Sequence, residues 1–465
     1  MKRLFGTDGI RGIVNKTLTG DLAYKVGLAT AKLLTTNRFR DVKCSPFMDD
    51  KPIVLIGTDT RPSKDLIFSG ISCGLCAGGV NVITVGILPT PAIAYLTNEY
   101  EFVSAGIMIT ASHNPKEYNG IKIIGPDGYK LHDRLEEQVE NLISSISDET
   151  LSTFFAENPG RISYEFVEPA KKRYMKFLES PFDYFFGSNI GKIAVDCSNG
   201  AASTCKDIFD DIGIEADIYN VDESGEKIND ECGSMHLEFI QDKVKKGFYS
   251  CGIAFDGDAD RCLFVDENGD IVDGDYVLAI IGNYLKKHGK LANNTIVGTV
   301  MSNLGLIKFC EDNGIKFLST KVGDKYVLEE MITNHSSLGG EQSGHIILKD
   351  YATTGDGLLT ALMVLSIMDK TDTPLHVLKS EMSKYPQVST QIKAGPTEKN
   401  SFVANIPLKQ EIQHLVEETL GNDGRTVVRP SGTENYIRIM VEGKDEGLIK
   451  DLCNNIADLI NLWIK

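Results

Sequence analysis

Short apolar runs recur along most of the chain, and stretches with apolar positions every three to four residues separate them. Leu22, Val26, Ala29 and Leu33 put one apolar face on a helix from about Asp21 to Leu34. Ile53-Val54-Leu55-Ile56-Gly57 reads as a buried strand and Leu66 to Ala77 as a helix. Val80–Val85 reads as a strand, Ala92–Leu96 as a short helix, and Ala105–Ile109 as a further strand. Apolar strands alternating with helices predict a mainly parallel sheet covered on both faces. The same opening, an apolar strand meeting a polar loop before a helix, returns at Lys192–Gly200 and at Thr295–Asn303. Three related α/β units follow from that repetition.

Beyond about residue 375 the rhythm changes. A strand near Val388–Ile392, a helix near Lys409–Leu420, a strand and loop Thr426–Thr433, a strand Tyr436–Glu442 and a final helix Glu446–Trp463 predict a smaller α+β unit. Turn-forming stretches near Asn158–Gly160, Asp266–Asp273 and Asp369–Pro374 divide the chain into expected domains 1–158, 159–266, 267–373 and 374–465. Residues 36–52 are polar, contain Pro46 and Pro52, and read as a surface insertion.

Each unit carries one polar loop with chemical content. In the first, Thr110-Ala111-Ser112-His113-Asn114-Pro115 lies between the run ending at Ile109 and the run Ile121–Ile124. A serine lifted from a sheet on such a turn is placed for nucleophilic or phosphoryl chemistry, although a plain turn with a capping serine has the same sequence. In the second, Asp256-Gly257-Asp258-Ala259-Asp260-Arg261 offers three carboxylates at alternate positions, hard oxygen ligands for Mg²⁺ or Ca²⁺. Asp256, Asp258, Asp260 and Glu267 also fit an EF-hand spacing, but that loop needs glycine where Arg261 stands and helices where the flanks read as strands. Arg261 beside the carboxylates suits a phosphate approaching a metal.

In the third unit, Gly340-Glu341-Gln342-Ser343-Gly344-His345 supplies acceptors and donors for sugar hydroxyls, and His345 is a general acid/base candidate. Upstream, Thr320–Lys325 is a glycine-bearing polar loop with two lysines. In the fourth, Arg429-Pro430-Ser431-Gly432-Thr433 with Arg438 converges hydroxyls, backbone N–H groups and two arginines into an anion cradle. It lacks a P-loop's Gly-Lys-Ser/Thr ending, so nucleoside triphosphate hydrolysis is not indicated.

Charge sharpens this picture. The net charge of −17 argues against nucleic acid as partner. It also requires that cations for an anionic substrate be concentrated locally, which gives weight to Arg11 in Gly6-Thr7-Asp8-Gly9-Ile10-Arg11-Gly12 and to the Arg429 loop. The 10 cysteines form no metal-ligand pattern. Cys73 and Cys76, flanked by Ile71, Leu75 and Val80, read as plain thiols on a buried helix. No apolar run reaches the ~18 residues that a membrane span needs, and the N-terminus breaks to Gly and Asp too early for a signal peptide. A cytoplasmic protein without membrane partners is expected.

Together the four loops, in this order, resemble the α-D-phosphohexomutase family over nearly the whole chain. The resemblance implies three related mixed-sheet α/β domains and a smaller C-terminal α+β domain around a central cleft. It implies a phosphoserine at Ser112 and one Mg²⁺ held by Ser112, Asp256, Asp258 and Asp260, with Arg261 near the phosphate. Arg11, His113, Lys122 and His345 would join Ser112 in catalysis. Lys325, Glu341, Gln342, Ser343, Arg429, Ser431, Gly432, Thr433 and Arg438 would bind substrate. The expected reaction is an isomerisation: the phosphoserine gives its phosphoryl group to a sugar phosphate, the 1,6-bisphosphate turns round, and Ser112 recovers a phosphoryl group from the other end. Glucosamine or glucose 1,6-bisphosphate would prime the enzyme, and a monomer or homodimer is expected. Gln342, Lys321–Val327 and the Gly6–Gly12 run look like the branch acting on glucosamine phosphates. The branch acting on glucose and mannose phosphates, usually with Met at the Gln342 position, is the alternative. Ala259 stands where the metal loop usually has Gly, and Asn435 where the phosphate loop usually has Pro.

Overall fold

The computed structural model describes residues 4–6, 8–36, 45–47, 49–182, 189–431 and 435–464. Among these, the strands fall into four consecutive sheets. The first contains β1 (Phe5–Gly6), β2 (Gly9–Ile13), β3 (Ile53–Thr58), β4 (Asn81–Ile87), β5 (Ala105–Ile109), β6 (Tyr118–Ile124) and β7 (Ile162–Ser163), in the order β1-β2-β6-β5-β3-β4-β7. The second contains β8 (Ile193–Asp196), β9 (Ala216–Tyr219), β10 (Cys251–Phe255), β11 (Cys262–Asp266) and β12 (Ile271–Val272), in the order β12-β11-β10-β8-β9. The third contains β13 (Thr295–Thr299), β14 (Lys316–Thr320), β15 (Leu338–Gly340) and β16 (Ile346–Leu348), in the order β14-β13-β15-β16. The fourth is antiparallel, with β19 (Tyr436–Gly443) between β17 (Gln387–Lys393) and β18 (Gly424–Pro430).

The first three sheets share one plan. A strand is flanked by two parallel partners, and the later partner folds back as an antiparallel hairpin. The sets are β4-β3-β5-β6, β9-β8-β10-β11 and β14-β13-β15-β16. The relatedness expected from three similar openings is therefore a shared topology. The expectation of mainly parallel strands holds for three strands of each set, and the fourth makes the sheet mixed.

Alternation explains the packing. In β3, Ile53 and Leu55 join one apolar cluster while Val54 and Ile56 join another on the opposite face. The first of these clusters runs on through Val195, Phe255, Val277 and Leu362, so the three α/β units share a continuous core. The C-terminal unit has its own core, built around Ile392, Phe402, Ile439 and Ile456.

The structure moves some boundaries. β7 extends the first sheet past residue 158, and β12 extends the second past 266, because each edge strand completes a sheet begun earlier in the chain. Helix Pro396–Ala404 was not legible, having no clear apolar periodicity. Most of the expected insertion at 36–52 lies outside the described residues. Cys73 is exposed and Cys76 half-buried, because the buried face of helix Lys64–Ala77 is that of Ile67, Ile71 and Leu75. No helix among the described residues is long and apolar enough to cross a membrane.

Candidate active site

The three chemical loops occupy the same position in the three units. Ser112 lies in the β5–β6 connection, Asp256–Asp260 in β10–β11, and Glu341–His345 in β15–β16. Ser112 is 1% exposed and has φ +52, a left-handed conformation costly for a residue with a Cβ. Its Oγ donates to Asp256 Oδ2 at 2.7 Å and stands 3.2 Å from His113 Nδ1. The first two loops thus meet at the serine hydroxyl.

Asp256 and Asp258 are fully buried and Asp260 is 5% exposed, with carboxylate oxygens within 4.8 Å of one another. A solvated acidic turn is excluded. Flanking strands β10 and β11, and an ion pair of Glu267 with His376, also exclude the EF-hand arrangement. Burial, then Asp260 and Asp258, push Asp256 well above the usual carboxylate range. Burial also opposes ionisation of Asp260, but Lys122, His345 and Arg261 outweigh it and hold Asp260 well below that range. Asp258 Oδ1 and Asp260 Oδ1 are buried without a hydrogen-bond partner. Unpartnered carboxylate oxygens this close together fit a cation.

Cations ring this cluster. Lys122 Nζ lies 3.0 Å from Asp258 Oδ2, 3.1 Å from Asp8 Oδ2 and 3.3 Å from Asp260 Oδ2. Burial lowers its pKa, but the three carboxylates more than compensate and keep it charged. Thr90 Oγ1 donates to Asp258 Oδ2 at 2.6 Å. Arg11 pairs with Asp8 and reaches Asn114 Oδ1 at 3.4 Å. Arg261 donates its backbone N–H to Asp256 Oδ1 at 3.2 Å, and its Nε lies 3.8 Å from Asp260 Oδ1. Burial, with Arg261 and Arg11 nearby, pushes His113 down to about 4, so its ring is neutral at neutral pH.

His345 is 4% exposed. Its Nε2 accepts from Gly355 N–H at 3.2 Å and its Nδ1 faces Asp260 Oδ1 at 3.8 Å. Gly355 thus occupies Nε2, and Nδ1 is left turned toward the carboxylate triad beyond hydrogen-bond distance. Glu341 accepts from Gly323 N–H at 2.8 Å, which ties its loop to the one before Asp324. Ser343 Oγ donates to Glu341 at 3.4 Å, and the Gln342 carbonyl accepts from Gly274 N–H at 3.0 Å. Lys325 pairs with Asp133, while Lys130 bridges Asp8 and Asp324. These ion pairs join the first and third units beside a cavity of about 600 Å³ lined by Lys122, Lys130, Asp324, Lys325 and His345.

The fourth loop forms a separate site. Arg429 and Arg438 are directly opposed on β18 and β19, and Gln391 of β17 opposes Arg438 from the other side. Burial and the neighbouring Arg438 push Arg429 below the usual arginine range, as expected of paired cations built to meet an anion. The pair lines a cavity of about 520 Å³ with Met301 of the third unit. Ser431 is buried, and its carbonyl accepts from Lys399 Nζ at 2.6 Å. Gly432 and Thr433 lie outside the described residues, as does Thr7.

Asp8, Thr90 and Lys130 escaped sequence reasoning. Asp8 sits inside the Gly6–Gly12 run, three residues before Arg11, and that spacing was a usable signal. Thr90 and Lys130 have no local mark, since their partners lie far along the chain.

A buried serine on a carboxylate triad, ringed by cations, with a second cation pair on another unit, is the layout of an enzyme that moves phosphoryl groups. Family models described as phosphoglucomutase/phosphomannomutase match in four consecutive pieces: α/β/α domain I over residues 2–150, domain II over 172–269, domain III over 273–385 and the C-terminal domain over 392–459. The chain belongs to this family, the α-D-phosphohexomutases, which are isomerases acting by intramolecular phosphoryl transfer. It is 45% identical over 463 residues to the phosphoglucosamine mutase of Clostridium acetobutylicum, covering 99% of each chain. It is also 45% identical over 461 residues to that of Caldanaerobacter subterraneus, again covering 99% of each. A phosphoglucomutase/phosphomannomutase family protein from Burkholderia thailandensis shares the fold, with a TM-score of 0.79 at 23% identity over 99% of this chain and 98% of that one. So does the Aspergillus fumigatus N-acetylphosphoglucosamine mutase solved with GlcNAc-6P and magnesium, at 0.67 and 19% over 98% and 95%.

Proposed function

We propose that the protein interconverts glucosamine 6-phosphate and glucosamine 1-phosphate, as a phosphoglucosamine mutase, and so feeds amino-sugar nucleotide synthesis in the cytoplasm. The observation that carries this reading is Ser112 Oγ bonded at 2.7 Å to Asp256 within a buried carboxylate triad. The names of relatives 45% identical over 99% of the chain support the amino sugar.

Phospho-Ser112 gives its phosphoryl group to a hydroxyl of the bound sugar phosphate. The Ser112 Oγ–P bond breaks as the sugar O–P bond forms, and the hydroxyl proton ends on Ser112 Oγ. His113 Nδ1, at 3.2 Å and neutral, is placed to exchange that proton. Lys122 and Arg11 stabilise charge on the transferring group. Mg²⁺ held by Asp256, Asp258, Asp260 and the Ser112 phosphate would neutralise that charge further. Glu341, Gln342, Ser343 and Lys325 orient the sugar, and Arg429, Ser431, Gly432, Thr433 and Arg438 hold the non-reacting phosphate. The intermediate must present both ends to one serine, so the distal cradle must accept either phosphate. Glucosamine or glucose 1,6-bisphosphate would restore a lost phosphoryl group, with the protein acting as monomer or homodimer.

A coupled assay of the phosphorylated protein should rank glucosamine phosphate above glucose and mannose phosphates. The reverse ranking would place the protein in the hexose branch.

A further inference from the structure

Asp59 and Arg61, between β3 and helix Lys64–Ala77, have no part in the mechanism above. Arg61 is 0% exposed. A buried arginine must place five N–H donors. Nε donates to Asp59 Oδ2 at 2.9 Å. Nη1 donates to the carbonyls of Pro115 and, at 2.9 Å, Tyr118. Nη2 donates to the carbonyls of Ser112 at 2.8 Å and Asn114 at 2.7 Å. Four of the five donors therefore end on the backbone of the serine loop.

Asn229, from the second unit, approaches the same carbonyls. Its Nδ2 donates to Ser112 O at 2.9 Å and Asn114 O at 3.1 Å. Each carbonyl has two lone pairs, and the two side chains fill them. Asn229 is itself fixed by Ser198 Oγ, which donates to its Oδ1 at 2.7 Å. On the other side, Thr110 Oγ1 donates to Asp59 Oδ2 at 2.6 Å and accepts from Ser112 N–H at 2.9 Å. The ring from Arg61 through Asp59 and Thr110 thus closes back on Ser112.

The loop needs this support. Its left-handed Ser112 and its Pro115, without an N–H, gather carbonyls toward one point where neither helix nor strand can pair them. A buried carbonyl left without a donor is destabilising. We propose that Arg61 and Asn229 form a two-sided clamp that fixes Ser112 in the left-handed conformation presenting Oγ to Asp256, and that both are positioning residues for phosphoryl transfer. They hold carbonyl oxygens and leave Oγ free to react. Because Asn229 belongs to the second unit, the nucleophile is set only when the first two units are docked. The inference rests on the reading of Ser112 as phosphoryl carrier.

The test uses the full chain with Asn229→Ala and Arg61→Lys, the latter keeping a cation beside Asp59. Phosphoryl uptake from glucose 1,6-bisphosphate is followed by intact mass, together with kcat and KM for glucosamine phosphate and the thermal midpoint. Asn229→Ala should lower kcat and the rate of Ser112 phosphorylation about tenfold, and Arg61→Lys about a hundredfold, with KM within about twofold, as expected when a nucleophile is displaced by a fraction of an ångström. The ³¹P resonance of phospho-Ser112 should shift or broaden in both. If Arg61→Lys does not fold, Asn229→Ala decides alone. Wild-type kcat in the folded variants, or a rise in KM at constant kcat, overturns the clamp. A wild-type protein that takes up no phosphoryl group and turns over no sugar phosphate overturns the underlying reading instead.

Discussion

The centre around Ser112 and the arginine pair of the C-terminal unit are built in opposite ways. At the centre, Asp256, Asp258 and Lys122 are almost wholly buried, and the groups around them come from three units that share one apolar core. The arginine pair is half-buried to exposed on a small unit with its own core. That unit meets the third through polar contacts. Asn303 Nδ2 donates to Glu442 at 3.0 Å, Arg425 donates to the Ser302 carbonyl, and Lys384 pairs with Asp273. On the proposed mechanism, the chemistry needs fixed geometry at one serine, whereas the distal cradle must accept two different phosphates in turn. Burial and saturation serve the first, and an adaptable pair of cations serves the second.

The largest expected effect tests the centre. Ser112→Ala should abolish turnover, a loss of roughly 10⁴-fold or more, while the thermal midpoint and sugar-phosphate affinity stay near wild type. Retained mutase activity would remove the phosphoryl relay. Next comes metal removal. Chelation should stop turnover and lower the thermal midpoint, because three carboxylates within 4.8 Å then lose their counter-ion. Mg²⁺ at about 100 times its dissociation constant should return roughly 2.7 kcal/mol of stability. A chelator-resistant enzyme would contradict the ligand assignment.

Arg429→Gln tests the other half of the comparison. It should raise KM about ten- to a hundredfold, the scale of a charge-assisted contact, with a smaller change in kcat. Stability should hold or rise, because burial and Arg438 already disfavour the Arg429 charge. A fall in kcat matching that of Ser112→Ala would mean the cradle is as fixed as the centre.

Legibility follows the same divide between local and distant partners. Ser112, the aspartates and Arg429 could be read because their chemistry is written in contiguous residues on turn-forming loops. The shared hairpin plan was legible only as three similar openings, since register and direction depend on pairings such as Gly106↔Ile124 and Gly339↔Ile347. Arg61 was visible in Thr58–Pro62 but carried no signal, because its partners are backbone carbonyls 51 to 57 positions away. The surroundings of His345 were illegible for a related reason. A histidine's role depends on what occupies its two nitrogens, and Gly355 and Asp260 are not its sequence neighbours.

The seam between the two regions carries its own expected signature. Asp275 accepts from Asn303 N–H at 2.8 Å, and burial, then Asp273, push its pKa up to about 7. A carboxyl raised in the folded state contributes stability below its unfolded value near 4, and that stability is lost as pH rises toward 7. Asp275→Asn should flatten the fall in thermal midpoint between about pH 4 and 7 and stabilise the protein at pH 8, by about 4 kcal/mol at most. Parallel wild-type and variant curves would show that Asp275 titrates normally.

The smallest effect is expected at Ala259, the second left-handed residue of the centre, with φ +53 and no exposure. A Cβ in that conformation costs roughly 1–2 kcal/mol, which Ala259→Gly would relieve. Glycine also frees the unfolded chain, a loss of roughly 0.4–1 kcal/mol, and removes a buried methyl worth roughly 0.8 kcal/mol. The two sides nearly cancel, so the thermal midpoint should move by no more than the equivalent of about 0.8 kcal/mol, the widest difference between those opposing estimates. Backbone bonds from Ala259 N–H to Asp256 O and from Gly357 N–H to Ala259 O, both 3.0 Å, survive the change and should keep kcat near wild type. A large loss of kcat at constant stability would mean that the stiffness of the alanine itself aligns Asp258 and Asp260. The over-determined geometry of the centre would then extend from its hydrogen bonds to its backbone torsions.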